Sequence, residues 1–246
     1  MKIIGVIPAR LGSTRLPEKV LQPIAGQPMI QHVLRRVKQA KRLHEVIVAC
    51  DDPRILKCVE AAGGRAVMTK REHPNGTSRV AEIAQREKAD VFLNIQGDEP
   101  MIRPEAIDEL AEIFLEDSQV QVATLAVRSS DEENFRNPNV VKVVCDQQGN
   151  ALYFSRSPVP HDRNGEKPLS FLKHLGIYGY RRDFLLEFVS WKPGALEMRE
   201  KLEQLRILER GRKIRVFETA FDSVGVDTEE DLEKVEFQIK MKRETV

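Results

Sequence analysis

Cysteine is scarce in this chain: Cys50, Cys58 and Cys145 are odd in number and show no CxxC spacing. Neither a disulfide framework nor a zinc site is indicated, and this usage predicts a reducing cytoplasm. Long apolar runs are missing too, with nothing near the ~20 residues that a membrane span needs. The amino terminus passes almost at once into a strand pattern, and no signal-peptide pattern precedes it. Net charge nearly vanishes, at +1 over 246 residues, which removes the basic footprint of a dedicated nucleic-acid binder. Several motifs are absent as well. There is no Walker-type GxxxxGK(S/T), no GxGxxG after the first strand, no Gly-x-Ser-x-Gly elbow and no His-Glu-x-x-His pair. What is present, 41% hydrophobic and 31% charged residues, describes an ordinary soluble protein with room for one large α/β domain or a domain carrying a lobe.

Strand and helix patterns alternate through the first half. Ile3, Ile4, Val6 and Ile7 form a short buried strand, and Pro28 to Lys41 spaces its apolar residues as a helix. Glu45–Cys50 is an apolar strand, after which Pro53 opens a helix that runs to Gly63-Gly64. Ala66–Thr69 is a strand, and Thr77 or Ser78 caps a helix to about Lys88. Val91–Gln96 and Val122–Val127 are strands flanking a helix over Pro104–Glu116. Unbroken apolar strands in a βαβα rhythm predict a mostly parallel sheet with helices on both faces. After Arg128 the rhythm changes. Val140–Cys145 and Ala151–Ser155 flank hairpin chemistry at Asp146 to Gly149, then come Pro158, Pro160 and Pro168 and the apolar run Leu175–Tyr180. Leu196–Arg210 reads as one amphipathic helix stopped by Gly211, followed by a strand over Ile214–Phe217. Thr228 and Asp231 form a capping box for a last helix to about Lys242. The expected organisation is one domain over 1–246 with a smaller antiparallel lobe over 128–212.

The chemistry concentrates in three places. Residues 8–19 carry Arg10, Arg15 and Lys19 against Glu18 alone, a formal +2, in a loop with Gly12, Ser13 and Thr14 that follows the first strand. Backbone amides and fixed cations in such a loop suit a polyphosphate. Asn94-Ile-Gln-Gly-Asp-Glu-Pro100 runs a strand straight into carboxylates, at the edge where open α/β sheets bind ligands. Asp98 there suits a hard cation such as Mg²⁺ that also touches phosphate. Gly225-Val-Asp-Thr228 supplies a second acid, Asp227, which by itself reads first as a helix cap.

Ile7 to Lys19, Asn75 to Arg79, Asn94 to Pro100, Tyr153-Phe-Ser-Arg-Ser-Pro158, His174-Leu-Gly-Ile-Tyr-Gly-Tyr180, Leu202-Glu-Gln-Leu-Arg206 and Gly225 to Thr228 together resemble the 3-deoxy-manno-octulosonate (Kdo) cytidylyltransferase family over essentially the full length. The resemblance implies a nucleotide-diphospho-sugar transferase-like fold. It also implies CTP and Kdo as substrates, and CMP-Kdo for lipopolysaccharide biosynthesis and pyrophosphate as products. Mg²⁺ is the implied cofactor and a homodimer the implied assembly. It assigns the catalytic work to Arg10, Lys19 and Asp98. Ala9, Leu11, Gly12 and Arg15 join Arg10 and Lys19 around CTP, with Thr77, Ser78, Arg79 and Gln96 near the cytidine. Asp98 and Asp227 hold magnesium, and Arg156, His174, Tyr178, Glu203 and Gln204 form the sugar-acid pocket. The chain departs from the family's usual Ser-Gly-Thr-Asp-Arg at Asn75 and Ser78, where an expected acid is a hydroxyl. A sister enzyme for sialic acid or an amino analogue of Kdo, a metal-dependent glycosyltransferase and a silent nucleotide-binding protein are the rival readings.

Overall fold

The computed structural model describes residues 1–12, 16–165 and 169–244. Ser13, Thr14, Arg15 and Pro168, singled out above, lie outside them. Strand β1 (Ile3–Ala9) sends Ile3 and Ile7 to one face and Ile4 and Val6 to the other, so an unbroken apolar run serves two cores at once. A 3-10 turn at Lys19–Leu21 and a short ribbon of β2 (Pro23–Ile24) and β3 (Gln27–Pro28) lead into α1 (Met29–Val37). This helix stops short of the expected Lys41.

Strand β4 (Glu45–Cys50) is followed by α2 (Pro53–Ala61). The Asp52 carboxylate accepts the Arg54 amide at 2.9 Å, and Pro53 occupies the first turn, where no amide donor is needed. Next come β5 (Arg65–Met68) and α3 (Gly76–Arg86). The cap of α3 is Asn75, whose Oδ1 accepts the Ser78 amide at 2.9 Å, and not Thr77 or Ser78. Asn caps as well as Ser does, and its extended backbone one turn earlier leaves Thr77 and Ser78 inside the helix. Strand β6 (Val91–Asn94), α4 (Pro104–Glu116) and β7 (Val122–Ser129) complete the first half.

In the second half, α5 (Glu132–Arg136) precedes the hairpin of β8 (Lys142–Cys145) and β9 (Ala151–Ser155), with Gly149 at φ 76° in its turn. Strand β10 (Phe171–Arg181) is longer than the apolar run suggested and bulges between His174 and Tyr178. Helices α6 (Arg182–Val189), α7 (Ala195–Glu200) and α8 (Leu205–Glu209) follow. The single helix expected over Leu196–Arg210 is therefore two, broken where Lys201 takes φ 55°. Nine residues on one helix span two and a half turns and land on opposite faces. The break instead lets Glu197 and Arg206 meet in a buried two-pronged ion pair at 2.6 Å. Strand β11 (Arg215–Glu218) and α9 (Glu229–Glu244), opened by the expected Thr228–Asp231 box, end the fold.

Among the described residues the strands form a nine-stranded sheet in the order β11-β7-β10-β6-β1-β4-β5, with β8 on β10 and β9 on β8. All pairs along the path are parallel except those of β10, which runs antiparallel between β6 and β7. Segment 128–212 thus shares the central sheet through β10 and extends it outward through the β8–β9 hairpin. Helices α1, α2 and α4 cover one face; α3, α6 and α8 cover the other. A third cluster of Leu16, Ile24, Met29, Val226, Val235 and Ile239 packs α9 on the β2–β3 ribbon. That packing brings the segment before α9 to the loop after β1.

Candidate active site at the carboxyl edge of the sheet

From β1 the chain steps outward through β4 to β5, then crosses to β6 on the other side of β1. The chain goes on from β1 to one side of the sheet and from β6 to the other, a reversal that opens a crevice at the strands' carboxyl ends. A Cβ on Gly97 would meet the Pro8 carbonyl oxygen at 2.8 Å, so this approach of the β1 and β6 loops requires a glycine. In the crevice the Lys19 Nζ donates to Asp98 Oδ2 at 2.5 Å and to Asp227 Oδ1 at 3.0 Å. The Val226 amide donates to the Asp98 carbonyl at 2.9 Å, and Asp231 holds the Asp227 and Thr228 amides at 3.1 and 3.0 Å. Burial pulls the Lys19 ammonium down, but the charge and hydrogen bonds of Asp98 and Asp227 outweigh it and leave the pKa raised.

Two cavities meet at this clasp and share Gln96, Asp98 and Asp227. The smaller, about 310 Å³, is lined by Ala9, Arg10, Gly12, Lys19, Asn75, Arg79 and Gln96 among others. Leu11 stands behind it, its amide donating to Asp51 Oδ1 at 3.1 Å. The other Asp51 oxygen takes the buried Arg79 guanidinium at 3.1 Å, which also donates to Thr69 Oγ1 and the Lys70 carbonyl. Arg79 and Asp51 therefore brace the loops after β1, β4 and β5 against one another. Ser78 lines neither cavity; its hydroxyl turns back to Asn75.

The larger cavity, about 890 Å³, gathers Arg156, His174, Tyr178, Glu203 and Gln204, together with Thr77. Thr77 lines this cavity and not the smaller one. Burial pushes the His174 imidazole down to about 3, so it is neutral at physiological pH, with Nε2 3.1 Å from Thr124 Oγ1. The buried Tyr178 hydroxyl stands in the wall of this cavity beside Thr124. Arg156 is anchored through Nε on the Glu200 carbonyl at 2.7 Å and through Nη1 on the Pro138 carbonyl at 2.9 Å. Glu203 accepts from Asn75 Nδ2 and Thr77 Oγ1, each at 2.8 Å. Burial nonetheless dominates and raises its pKa.

Several lining residues had no assigned role in the sequence. Glu99 borders the larger cavity, accepts from Ser223 Oγ at 2.7 Å, and is pushed up to about 7 by burial, with Asp98 adding. Its signal was present, since it follows Asp98 in the same motif. Asn94, the last residue of β6, opens that motif, whereas Lys173, paired with Asp222 at 2.8 Å, is visible only through the fold. Asn75 was noted as a departure from the family pattern, without a function.

Two carboxylates converging on one ammonium give the hard oxygen donors that suit Mg²⁺. Among the described residues no group of three or more His, Cys, Asp or Glu forms a metal cage. A cation on Asp98 and Asp227 would fill its remaining positions with substrate oxygen and water, as magnesium commonly does.

A cationic loop and paired acids at the reversal of a two-faced α/β sheet define a nucleotidyltransferase. A family profile described as Cytidylyltransferase matches residues 4–214. The 3-deoxy-manno-octulosonate cytidylyltransferases of Geotalea uraniireducens and Geobacter sulfurreducens are 51% and 52% identical to the chain over 250 aligned positions, covering 98% of it and 100% of each relative. A solved structure of CMP:2-keto-3-deoxy-manno-octonic acid synthetase complexed with CTP matches with a TM-score of 0.94 at 46% identity, over 98% of this chain and 100% of that one. The 4-diphosphocytidyl-2C-methyl-D-erythritol synthase of Anaerococcus prevotii, 15% identical with a TM-score of 0.66 over 97% of this chain and 98% of its own, shares the fold alone. The chain belongs to the cytidylyltransferase family, among the 3-deoxy-manno-octulosonate cytidylyltransferases.

Proposed function

We propose that this chain transfers CMP from CTP to Kdo and releases pyrophosphate, supplying CMP-Kdo to lipopolysaccharide biosynthesis. The observation that carries the reading is the Lys19 clasp on Asp98 and Asp227 at the junction of two cavities, one beside the cationic loop and one beside the expected sugar pocket. CTP occupies the smaller cavity and Kdo the larger, so that the anomeric hydroxyl and the α-phosphorus meet at the clasp. The hydroxyl oxygen bonds to phosphorus in line as the bond to pyrophosphate breaks. Such a transfer needs placement and charge neutralisation more than covalent help. Arg10, Arg15 and Lys19 neutralise the triphosphate and the departing pyrophosphate. Asp98 and Asp227 would hold Mg²⁺, which would lower the pKa of the attacking hydroxyl and screen phosphate charge.

On the sugar side, Arg156 takes the carboxylate of Kdo, while neutral His174, Tyr178, Glu203 and Gln204 exchange hydrogen bonds with its hydroxyls. Gln96, whose Nε2 donates to the Gly176 carbonyl at 3.0 Å, forms part of the wall between the two substrates. The enzyme acts in the cytoplasm as a homodimer, with 128–212 as the sugar-binding and dimerisation lobe. Three free thiols support the compartment. No helix of the described residues is long and apolar enough to cross a membrane.

Pyrophosphate release, measured for each nucleoside triphosphate with and without sugar acid, tests the reading. Release is expected with CTP plus Kdo. Release without a sugar acid, or a clear preference for sialic acid or 8-amino-Kdo, overturns it.

A further inference from the structure

Among the described residues, Asn75 is the one wall residue of the nucleotide-side cavity outside the clasp that hydrogen-bonds a carboxylate lining the other cavity. Its amide can sit only one way round. Oδ1 accepts the Ser78 amide at 2.9 Å and the Ser78 hydroxyl at 2.6 Å, which turns Nδ2 toward Glu203 Oε1 at 2.8 Å. A serine at this position could cap the helix but has no amide N–H to reach further. Glu203 for its part lies between α7 and α8, just past the left-handed Lys201, where no helix fixes it. Each of its oxygens is held from the first turn of α3: Oε1 by Asn75, and Oε2 by Thr77 Oγ1, which is itself 3.3 Å from Asn94 Nδ2. The nearest cation, Arg206, stands 3.7 Å from Oε1 and spends its short bonds on Glu197.

We propose that Asn75 is a positioning residue for the sugar acid: its amide fixes the Glu203 carboxylate that receives Kdo hydroxyls and ties that carboxylate to the wall of the CTP cavity. The inference rests on the reading that the larger cavity takes Kdo. Both oxygens of Glu203 keep a lone pair for substrate while one donor on each sets its direction. Replacing the Asn75 donor by an acceptor turns attraction into repulsion at a half-buried carboxylate, while leaving the cap intact because Asp caps as well as Asn.

The test compares Asn75→Asp and Asn75→Ser with the unaltered full-length enzyme, recording kcat, KM for Kdo, KM for CTP and the melting temperature. Asn75→Asp is expected to raise the KM for Kdo about tenfold or more, the scale of a hydrogen bond to a charged group. Asn75→Ser should raise it less, and in both variants the KM for Kdo should rise by more than the KM for CTP. An unchanged KM for Kdo overturns the inference. So does a joint loss of kcat, both KM values and melting temperature, which marks Asn75 as a helix cap only. If the unaltered enzyme forms no CMP-Kdo, the functional reading falls and takes this inference with it; failure of the variants alone removes only the role of Asn75.

Discussion

Lys19 is 13% exposed and touches two carboxylates, and that single contact organises the reacting end of the molecule. Asp98→Asn keeps the shape of the side chain and removes its charge. It is expected to slow single-turnover CMP-Kdo formation at saturating Mg²⁺ by ~100-fold or more, because lost metal and oxyanion contacts are commonly worth ~3 kcal/mol. A near-normal rate removes Asp98 from the metal role. Lys19→Ala should depress the same rate with an unchanged circular dichroism spectrum. The same variant leaves Asp98 and Asp227 facing one another without their ammonium, so added Mg²⁺ should raise its melting temperature more than that of the parent. An equal shift in both proteins argues against a shared position for the ammonium and the metal.

At the scale of elements, the close approach of the β1 and β6 loops matters more than any one side chain. Gly97→Ala would push a methyl into the Pro8 carbonyl at 2.8 Å, and backbone cannot yield as a side-chain tip can. The variant is expected to lose about 1–3 kcal/mol of stability in urea unfolding, with a matching fall in turnover as Asp98 shifts from Lys19. Wild-type stability in Gly97→Ala would show that the loops have room to part. Elements with strong local signals, such as β4 over Glu45–Cys50 and α4 over Pro104–Glu116, were legible in the sequence to the residue. The helix expected over Leu196–Arg210 was not, because its apolar spacing continues through a break that depends on Arg206 finding Glu197. The cap of α3 was misread for a smaller reason: Asn75, Thr77 and Ser78 are all competent caps, and only the backbone selects one.

For the whole molecule, one half-buried imidazole contributes to acid sensitivity. Burial pushes His174 from the ordinary 6.5 down to about 3. Between those values the unfolded chain binds a proton that the folded one refuses. Stability is therefore fully present above pH 6.5 and falls with acid, by up to about 1.4 kcal/mol per unit for this one group. His174→Gln should flatten the dependence of unfolding free energy on pH between 4.5 and 6.5, measured by urea titration; an unaltered slope assigns the acid sensitivity to other groups.

By itself the sequence determined the alternation of strand and helix, the strand-end acids and the charged loop, since hydrophobic period and capping are local properties of the chain. It also fixed the family, because seven short motifs along its length agree. Only the tertiary structure decided that β10 enters the sheet antiparallel between β6 and β7, and that Lys19 meets carboxylates 79 and 208 positions away. Strand order and the meeting of distant charges follow from burial shared among segments far apart in the chain, which no local pattern encodes.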